Sequence, residues 1–131
     1  MYDGAGTDIV SVPRIANLIE TRGSTFLERW FTADEIAYCS GKAVPSRHFA
    51  ARVAAKEAVA KALPVPWDGP LPWRSIEIVS GSRGVPWVRL SGDLGVAADE
   101  LGVADLKVSL SHCDEYATAI ALAAWTGGAE Q

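Results

Sequence analysis

The stretch FAARVAAKEAVAKAL, residues 49–63, decides the fold of this chain. Alanine is its commonest residue, four charged residues (Arg52, Lys56, Glu57 and Lys61) interrupt it, and a proline follows at once. Alanine is the strongest helix former and proline cannot continue a helix, so the stretch predicts a long helix over residues 47–63. Small side chains on every side indicate that other backbone, or a ligand, approaches this helix closely.

The composition is that of an ordinary globular protein. The chain has 131 residues, 49% of them hydrophobic and 21% charged, which predicts one domain over residues 1–131. We expect no membrane segment and no signal peptide, because no apolar run could span a bilayer and the start MYDGAGTDIV lacks a basic region. Cys39 and Cys113 form neither a metal-binding spacing nor a disulfide framework, so we expect a cytoplasmic location.

Charge is spread unevenly along the chain. The net charge of −4 argues against nucleic acid as a partner, since proteins that bind it are usually basic. Residues 1–63 carry eight Lys/Arg against seven Asp/Glu, whereas residues 64–131 carry four against nine. An anionic ligand is therefore expected to meet the N-terminal half.

Local patterns on both sides of the long helix predict an α+β fold, with an antiparallel sheet packed on that helix. Before the helix they predict a strand at 5–10, a helix between Ser11 and Gly23, a capping-box helix from Thr32 to Gly41, and Ser46 as the N-cap of the long helix. After it they predict a proline-rich loop at 64–73, a hairpin of strands 75–79 and 85–90, a short helix near 94–101, and strands at 106–111 and 116–125. Alternate alanines in the last strand suit close packing against an alanine-rich helix.

Three places break the hydrophobic pattern: Asp8 in the first strand, Glu57 and Lys61 in the long helix, and Ser109-Leu110-Ser111-His112 at a strand end. The plain interpretation is a solvated Glu57–Lys61 pair worth about 0.3–0.5 kcal/mol and a hydrogen-bonded histidine. The alternative is functional. Two carboxylates offer the hard oxygen ligands that Mg²⁺ prefers when phosphates and waters complete its shell, and Lys61 would reach a phosphate.

Five short motifs, in order from residue 4 to residue 124, make the chain resemble the holo-acyl-carrier-protein synthases, the short type of the 4′-phosphopantetheinyl transferases. The motifs are Gly6-Thr7-Asp8-Ile9-Val10; Phe31-Thr32 with Glu35 and Tyr38; Ala54-Ala55-Lys56-Glu57-Ala58 with Lys61-Ala62-Leu63; Gly84 with Pro86; and Ser109-Leu110-Ser111-His112 with Tyr116-Ala117. The Trp- and Pro-rich segment 64–73 has no counterpart among them.

The resemblance implies a transfer of 4′-phosphopantetheine from coenzyme A to a serine of an apo acyl carrier protein, in fatty-acid or polyketide biosynthesis. It implies that Asp8 and Glu57 bind Mg²⁺ and that Lys61 neutralises phosphate charge. The base is either Glu57 or a metal-linked water near Asp8, and the sequence does not choose between them. The residues implied around the coenzyme A nucleotide are Arg52, Lys61, Gly84, Pro86, Ser111 and His112.

The resemblance also implies a docking face and an assembly. Arg14, Leu18 and Arg22 lie on one line of the second element at i, i+4 and i+8, and are expected to dock the acidic carrier protein. The fold implied is a homotrimer with active sites between subunits. Two alternatives stay open: a coenzyme A- or nucleotide-binding module without catalysis, and an unrelated Mg²⁺-dependent phosphohydrolase.

Overall fold

The structure, a computed structural model, describes residues 1–126. Its elements are β1 (Gly4–Ser11), α1 (Val12–Arg22), α2 (Ser24–Trp30), α3 (Ala33–Ser40), α4 (Pro45–Ala62), β2 (Ile76–Ser80), β3 (Pro86–Leu90), α5 (Gly92–Glu100), β4 (Val103–His112) and β5 (Tyr116–Trp125). The predicted α+β class is confirmed. The last five residues of the predicted domain, 127–131, lie outside the described residues. Within 1–126, no helix combines the length and apolar character that crossing a membrane requires.

Two antiparallel sheets surround α4. The first has the strand order β1-β5-β4, and the second is the predicted hairpin of β2 and β3. Alternate alanines of β5 are buried beneath α4, and these are Ala117, Ala119, Ala121 and Ala123. Most of α4 is buried as well, so the alanine-rich helix and the alanine face of β5 pack on each other as the sequence predicted.

The backbone of β1 touches the backbone of α4 directly. A Cβ atom placed on Gly6 would lie 2.0 Å from the carbonyl oxygen of Ala58, and one on Gly4 would lie 2.1 Å from that of Ala62. No side chain fits at either position. Asp8 follows two residues after Gly6, so the alternation of the strand puts it on the same face, toward α4.

The structure differs from the sequence-based expectations at two helix starts. Residues 24–30 form α2, which was not predicted, because seven residues are too few to show a helical period. Ser46 as the N-cap of α4 was wrong: the helix begins at Pro45 and its N-cap Val44 makes no side-chain hydrogen bond. Proline suits the first helical position because its missing N–H would have no partner inside the helix.

The predicted capping box at the start of α3 is present, and its glutamate does more than cap. The Thr32 hydroxyl accepts a hydrogen bond from the Glu35 N–H, and Glu35 Oε1 accepts one from the Thr32 N–H at 2.9 Å. Glu35 Oε2 also accepts a hydrogen bond from the Ile78 N–H at 2.9 Å. Glu35 therefore ties α3 to β2.

Lys56 completes this connection in the centre of the protein. Its side chain is fully buried, and its ammonium donates to Glu35 Oε1 at 2.8 Å and to the carbonyl oxygens of Trp73 at 3.0 Å and Ile76 at 2.6 Å. Burial lowers the pKa of Lys56, and the nearby Glu35 carboxylate opposes that shift. One ion pair thus joins α3, α4 and the chain entering β2.

We expect Lys56→Met to destabilise the protein by about 3–5 kcal/mol, because Glu35 would remain as an unpaired buried charge. Urea unfolding followed by circular dichroism measures this change. The double variant Glu35→Gln/Lys56→Met should recover part of the loss, since it buries no charge. Lys107→Met is the matched control, since Lys107 is 64% exposed. A cost for Lys56→Met no larger than that of the control would contradict the assigned role.

Candidate active site

The first candidate site is an open cleft of about 540 Å³ where α1 and α2 meet β1 and α4. Asp8 reaches it from β1 and Glu57 from α4, so we call it the carboxylate cleft. Its other lining residues are Ile9, Val10, Ser11, Arg14, Ile15, Leu18, Arg22, Thr25, Phe26, Arg29, Trp30 and Val53. The structure therefore brings together the two carboxylates that the sequence singled out.

The environment of Glu57 favours its neutral form. Burial raises the pKa of Glu57 and the nearby charge of Asp8 raises it further, while the charges of Lys61 and Arg14 partly offset both effects. Two carboxylates in one half-buried cleft repel each other, and a cation bound between them would relieve that repulsion.

Lys61 lies next to both carboxylates but forms its salt bridge with Asp8. Its ammonium is 3.3 Å from Asp8 Oδ1 and donates to the Thr7 carbonyl oxygen at 2.9 Å. The spacing of Glu57 and Lys61 allowed an exposed helical salt bridge between them. Within residues 1–126 the structure contains no such salt bridge. The ammonium of Lys61 therefore partly neutralises Asp8 and ties α4 to β1.

The carboxylate pair suits one class of metal ion. Within the described part of the chain, no three His, Cys, Asp or Glu side chains gather as a closed metal site. Structural zinc sites need about four protein ligands, whereas Mg²⁺ keeps several waters and binds through one or two carboxylates plus substrate phosphates. Asp8 and Glu57 therefore fit Mg²⁺ shared with a phosphate-bearing substrate.

The structure places the expected docking residues on the wall of the same cleft. Arg14, Leu18 and Arg22 come from α1, where the hydroxyl of Ser11 caps the helix as predicted. The wall continues onto α2 with Arg29 and others that the sequence did not single out, because α2 itself was not predicted. A basic and apolar surface thus borders the carboxylates.

A second cleft of about 440 Å³ lies where α3 and α4 meet the β2–β3 hairpin and β4. We call it the histidine cleft, after His48 and His112. Its other lining residues are Tyr38, Ala51, Arg52, Ser80, Gly84, Val85, Pro86, Val108, Ser109 and Leu110. Four of the residues expected around the nucleotide therefore meet there. Ser111 is exposed and is not among the lining residues, and Lys61 lies at the carboxylates.

Arg52 is the principal cation of the histidine cleft. Its guanidinium donates to Ser80 Oγ at 2.8 Å and lies 4.4 Å from the ring centroid of Tyr38. The residue is only 5% exposed, and its Nε finds no hydrogen-bond partner within residues 1–126. A buried guanidinium with an unused donor is suited to an anionic ligand.

His48 is a residue of this cleft that the sequence analysis missed. Its ring centroid lies 5.0 Å from that of His112 in an edge-on arrangement. Burial lowers the pKa of His48, and the nearby His112 and Arg52 lower it further. The sequence carried one sign that His48 belongs to this cleft. It lies four residues before Arg52 in α4, and residues at i and i+4 share a helix face.

The two clefts open on different sides of α4 and have no lining residue in common. Arg52 and Glu57 are five residues apart, which turns their side chains roughly 140° away from each other around the helix. One chain therefore carries a pair of carboxylates in one cleft and a buried guanidinium in another, and the two clefts face in different directions.

Comparison with known proteins identifies the family. The family described as the 4′-phosphopantetheinyl transferase superfamily matches residues 4–121. A holo-[acyl-carrier-protein] synthase from Ruminiclostridium cellulolyticum is 48% identical over 118 residues, 89% of this chain and 88% of that protein. The crystal structure of holo-[acyl-carrier-protein] synthase from Neisseria meningitidis matches with a TM-score of 0.83 at 32% identity, over 94% of this chain and 98% of its own. The Helicobacter pylori synthase in complex with coenzyme A matches with a TM-score of 0.78 at 31% identity, over 92% and 99%. This chain belongs to the 4′-phosphopantetheinyl transferase superfamily.

Proposed function

We propose that this protein is a holo-acyl-carrier-protein synthase, which transfers 4′-phosphopantetheine from coenzyme A to a serine of an apo acyl carrier protein. The observation that carries the proposal is the pairing of Asp8 and Glu57 in one cleft of a chain that matches such synthases over nearly its whole length. The products are the holo carrier protein and 3′,5′-ADP. The protein acts as a single domain in this proposal.

Asp8 and Glu57 hold Mg²⁺ in this proposal, together with the pyrophosphate of coenzyme A. When bound, the ion supplies positive charge that neutralises the pyrophosphate as charge develops on it. Lys61 holds Asp8 in place and adds a second positive charge beside the site.

The chemical step is the attack of the serine hydroxyl of the carrier protein on the β-phosphoryl group of coenzyme A. A serine O–P bond forms, the P–O bond inside the pyrophosphate breaks, and 3′,5′-ADP leaves with that bridging oxygen. The hydroxyl proton passes either to the Glu57 carboxylate or to a water near Asp8. A cation held by Asp8 and Glu57 would keep Glu57 ionised, so that its carboxylate could accept the proton.

The nucleotide of coenzyme A binds in the histidine cleft of a neighbouring subunit in this proposal. The clefts of one chain face different sides of α4, so a ligand that needs both is best served by two copies of the chain. The outer face of the β1-β5-β4 sheet exposes Ile9, Ile120 and Tyr116, which suit a subunit contact in a homotrimer.

The carrier protein docks on the basic wall of the carboxylate cleft. Arg14 and Arg22 are exposed, Leu18 lies between them, and the acidic surface of a carrier protein complements their charge. Fatty-acid and polyketide carrier proteins both satisfy this chemistry. The protein acts in the cytoplasm in this proposal, which the two unpaired cysteines support.

The activity is tested by mass spectrometry. Incubated with coenzyme A and Mg²⁺, the protein should add about 340 Da, the mass of a phosphopantetheine group, to an apo carrier protein. A carrier protein whose target serine is replaced by alanine is the control. No gain on any fatty-acid or polyketide carrier protein would overturn the proposal. Release of phosphate from coenzyme A without a carrier would instead support the phosphohydrolase alternative, and binding of coenzyme A without any turnover would support the non-catalytic module.

Glu57→Gln should lower the transfer rate by about a hundredfold or more, because it removes both a metal ligand and a candidate base while keeping the volume of the side chain. Thermal unfolding should change little, since Glu57 is only half-buried. Glu28→Gln, on the exposed face of α2, is the control. Full activity in the Glu57 variant would contradict its role at the metal.

We expect the affinity for coenzyme A to fall as pH rises, and His48 to cause part of that fall. Burial and the surrounding cationic groups lower the pKa of His48 in the free protein, and a bound phosphate should raise it again. The complex then holds more protons than the free protein between the two pKa values, so binding weakens as pH increases through that interval. The groups facing His48 are Tyr38, Lys42, Arg47, Arg52 and His112.

Isothermal titration calorimetry at several pH values measures this dependence. His48→Gln should show a shallower fall in affinity than the original protein, because it removes one titrating group. Identical slopes in the two proteins would rule out His48 as a contributor.

A further inference from the structure

The Trp- and Pro-rich segment 64–73 is fixed at its C-terminal end. The Trp73 carbonyl oxygen accepts a hydrogen bond from the buried ammonium of Lys56, and the Trp73 N–H donates to the Leu71 carbonyl oxygen at 3.0 Å. The central ion pair of the protein therefore holds the backbone from which the indole of Trp73 projects.

The indole of Trp73 stacks on the indole of Trp30, the last residue of α2. The ring centroids are 4.3 Å apart and the planes differ by 9°. Trp30 lines the carboxylate cleft, whereas Trp73 is not among the lining residues. Trp73 thus lies behind Trp30 and supports the wall of the cleft from outside it.

Helix α2 depends on such support because it is weak by itself. It has seven residues, its N-cap Gly23 offers no side-chain hydrogen bond, and Phe26 is its one buried residue. Helices this short are not stable without tertiary contacts. The position of its C-terminal turn, with Arg29 and Trp30, is therefore set by tertiary contacts, among them the stack of Trp30 on Trp73.

The surface that this turn completes has a definite character. Arg14 and Arg22 of α1 and Arg29 of α2 supply positive charge around the cleft, while Leu18 and Trp30 supply apolar area. Alternating basic and apolar groups complement a helix that is acidic on its flanks and apolar along its centre.

We infer that Trp73 is a positioning residue for carrier-protein recognition: by stacking on Trp30 it fixes the α2 side of the surface that receives the acidic helix of the acyl carrier protein. The inference rests on the proposed function. Segment 64–73 then acts in partner selection, although it does not line the carboxylate cleft, and coenzyme A binding should not depend on it.

The test compares three variants in steady-state transfer assays. Trp73→Ala should raise KM for the carrier protein about three- to tenfold, the range that follows from the loss of one aromatic stack. KM for coenzyme A and kcat should change by less than about twofold, because Asp8 and Glu57 lie on β1 and α4 and the histidine cleft contains no residue of α2. Trp73→Phe should restore most of the affinity for the carrier protein, since a phenyl ring can still stack. Trp67→Ala, in the same segment, should resemble the original protein.

A spectroscopic readout reports the stack itself. Two indoles this close couple strongly, so far-ultraviolet circular dichroism should contain an exciton couplet from the pair, which Trp73→Ala should abolish and Trp67→Ala should keep. Loss of the couplet with an unchanged KM for the carrier protein would overturn the inference. Equal increases in KM for coenzyme A and for the carrier protein would overturn it too. If Trp73→Ala does not fold, the KM of Trp73→Phe for the carrier protein decides. The inference requires that KM to lie near the value of the original protein.

These outcomes separate the inference from the proposed function. A protein that transfers nothing to any carrier protein refutes the proposed function, whatever the couplet shows. If the protein is fully active and Trp73→Ala leaves its KM for the carrier protein unchanged, only the inference is refuted.

Discussion

The rest of the structure depends on the buried ion pair between Lys56 and Glu35. Two charges that leave water must find partners inside the protein, and here most of the partners lie in other segments of the chain. Glu35 lies in the first turn of α3 and Lys56 in the middle of α4, and apart from the capping bond to Thr32 their remaining hydrogen bonds reach the chain around β2. The requirement to satisfy these groups fixes the rotation of α4 about its axis. Since Glu57 is the next residue, that rotation also determines where the Glu57 carboxylate points.

Helix α4 has no broad solvent-exposed face, because most of its residues pack against other parts of the protein. Lys56 points into the core, Glu57 into one cleft, and Arg52 with His48 into another. A helix on a protein surface usually keeps one polar stripe and one apolar stripe. Where three directions must all stay closely packed, the smallest helix-forming side chain fills the remaining positions, which explains the alanines of residues 49–63.

Features that depend on local chemistry could be predicted from the sequence. The capping box at Thr32, the helix start at Ser11 and the alanine face of β5 each arise within a few residues, and the structure contains all three. Two kinds of feature could not be predicted. Helix α2 is too short to show a period, and the partner of Lys56 is 21 residues away in sequence, so helical spacing gives no sign of it. The chemistry of Asp8 and Glu57 suggested a Mg²⁺ site as one of two interpretations, and the ordered motifs favoured it, because isolated carboxylates in a strand and a helix do not indicate that they meet.

The direct contact between β1 and α4 makes the distance between two functional groups a property of the main chain. Gly6 lies against the Ala58 carbonyl, and each neighbours a carboxylate: Asp8 is two residues along the strand, and Glu57 is the preceding residue of the helix. Atomic radii of the peptide backbone, and not interlocking side chains, therefore set the span between Asp8 and Glu57. Repacking elsewhere in the core can change stability without changing that span. A Cβ atom on Gly6 would lie 2.0 Å from the Ala58 carbonyl oxygen, so a methyl group there would push the strand from the helix by about 1 Å or more, and a displacement of about 1 Å can slow catalysis about a hundredfold. A side chain at Gly6 would therefore cost stability and would also change the distance between the two carboxylates.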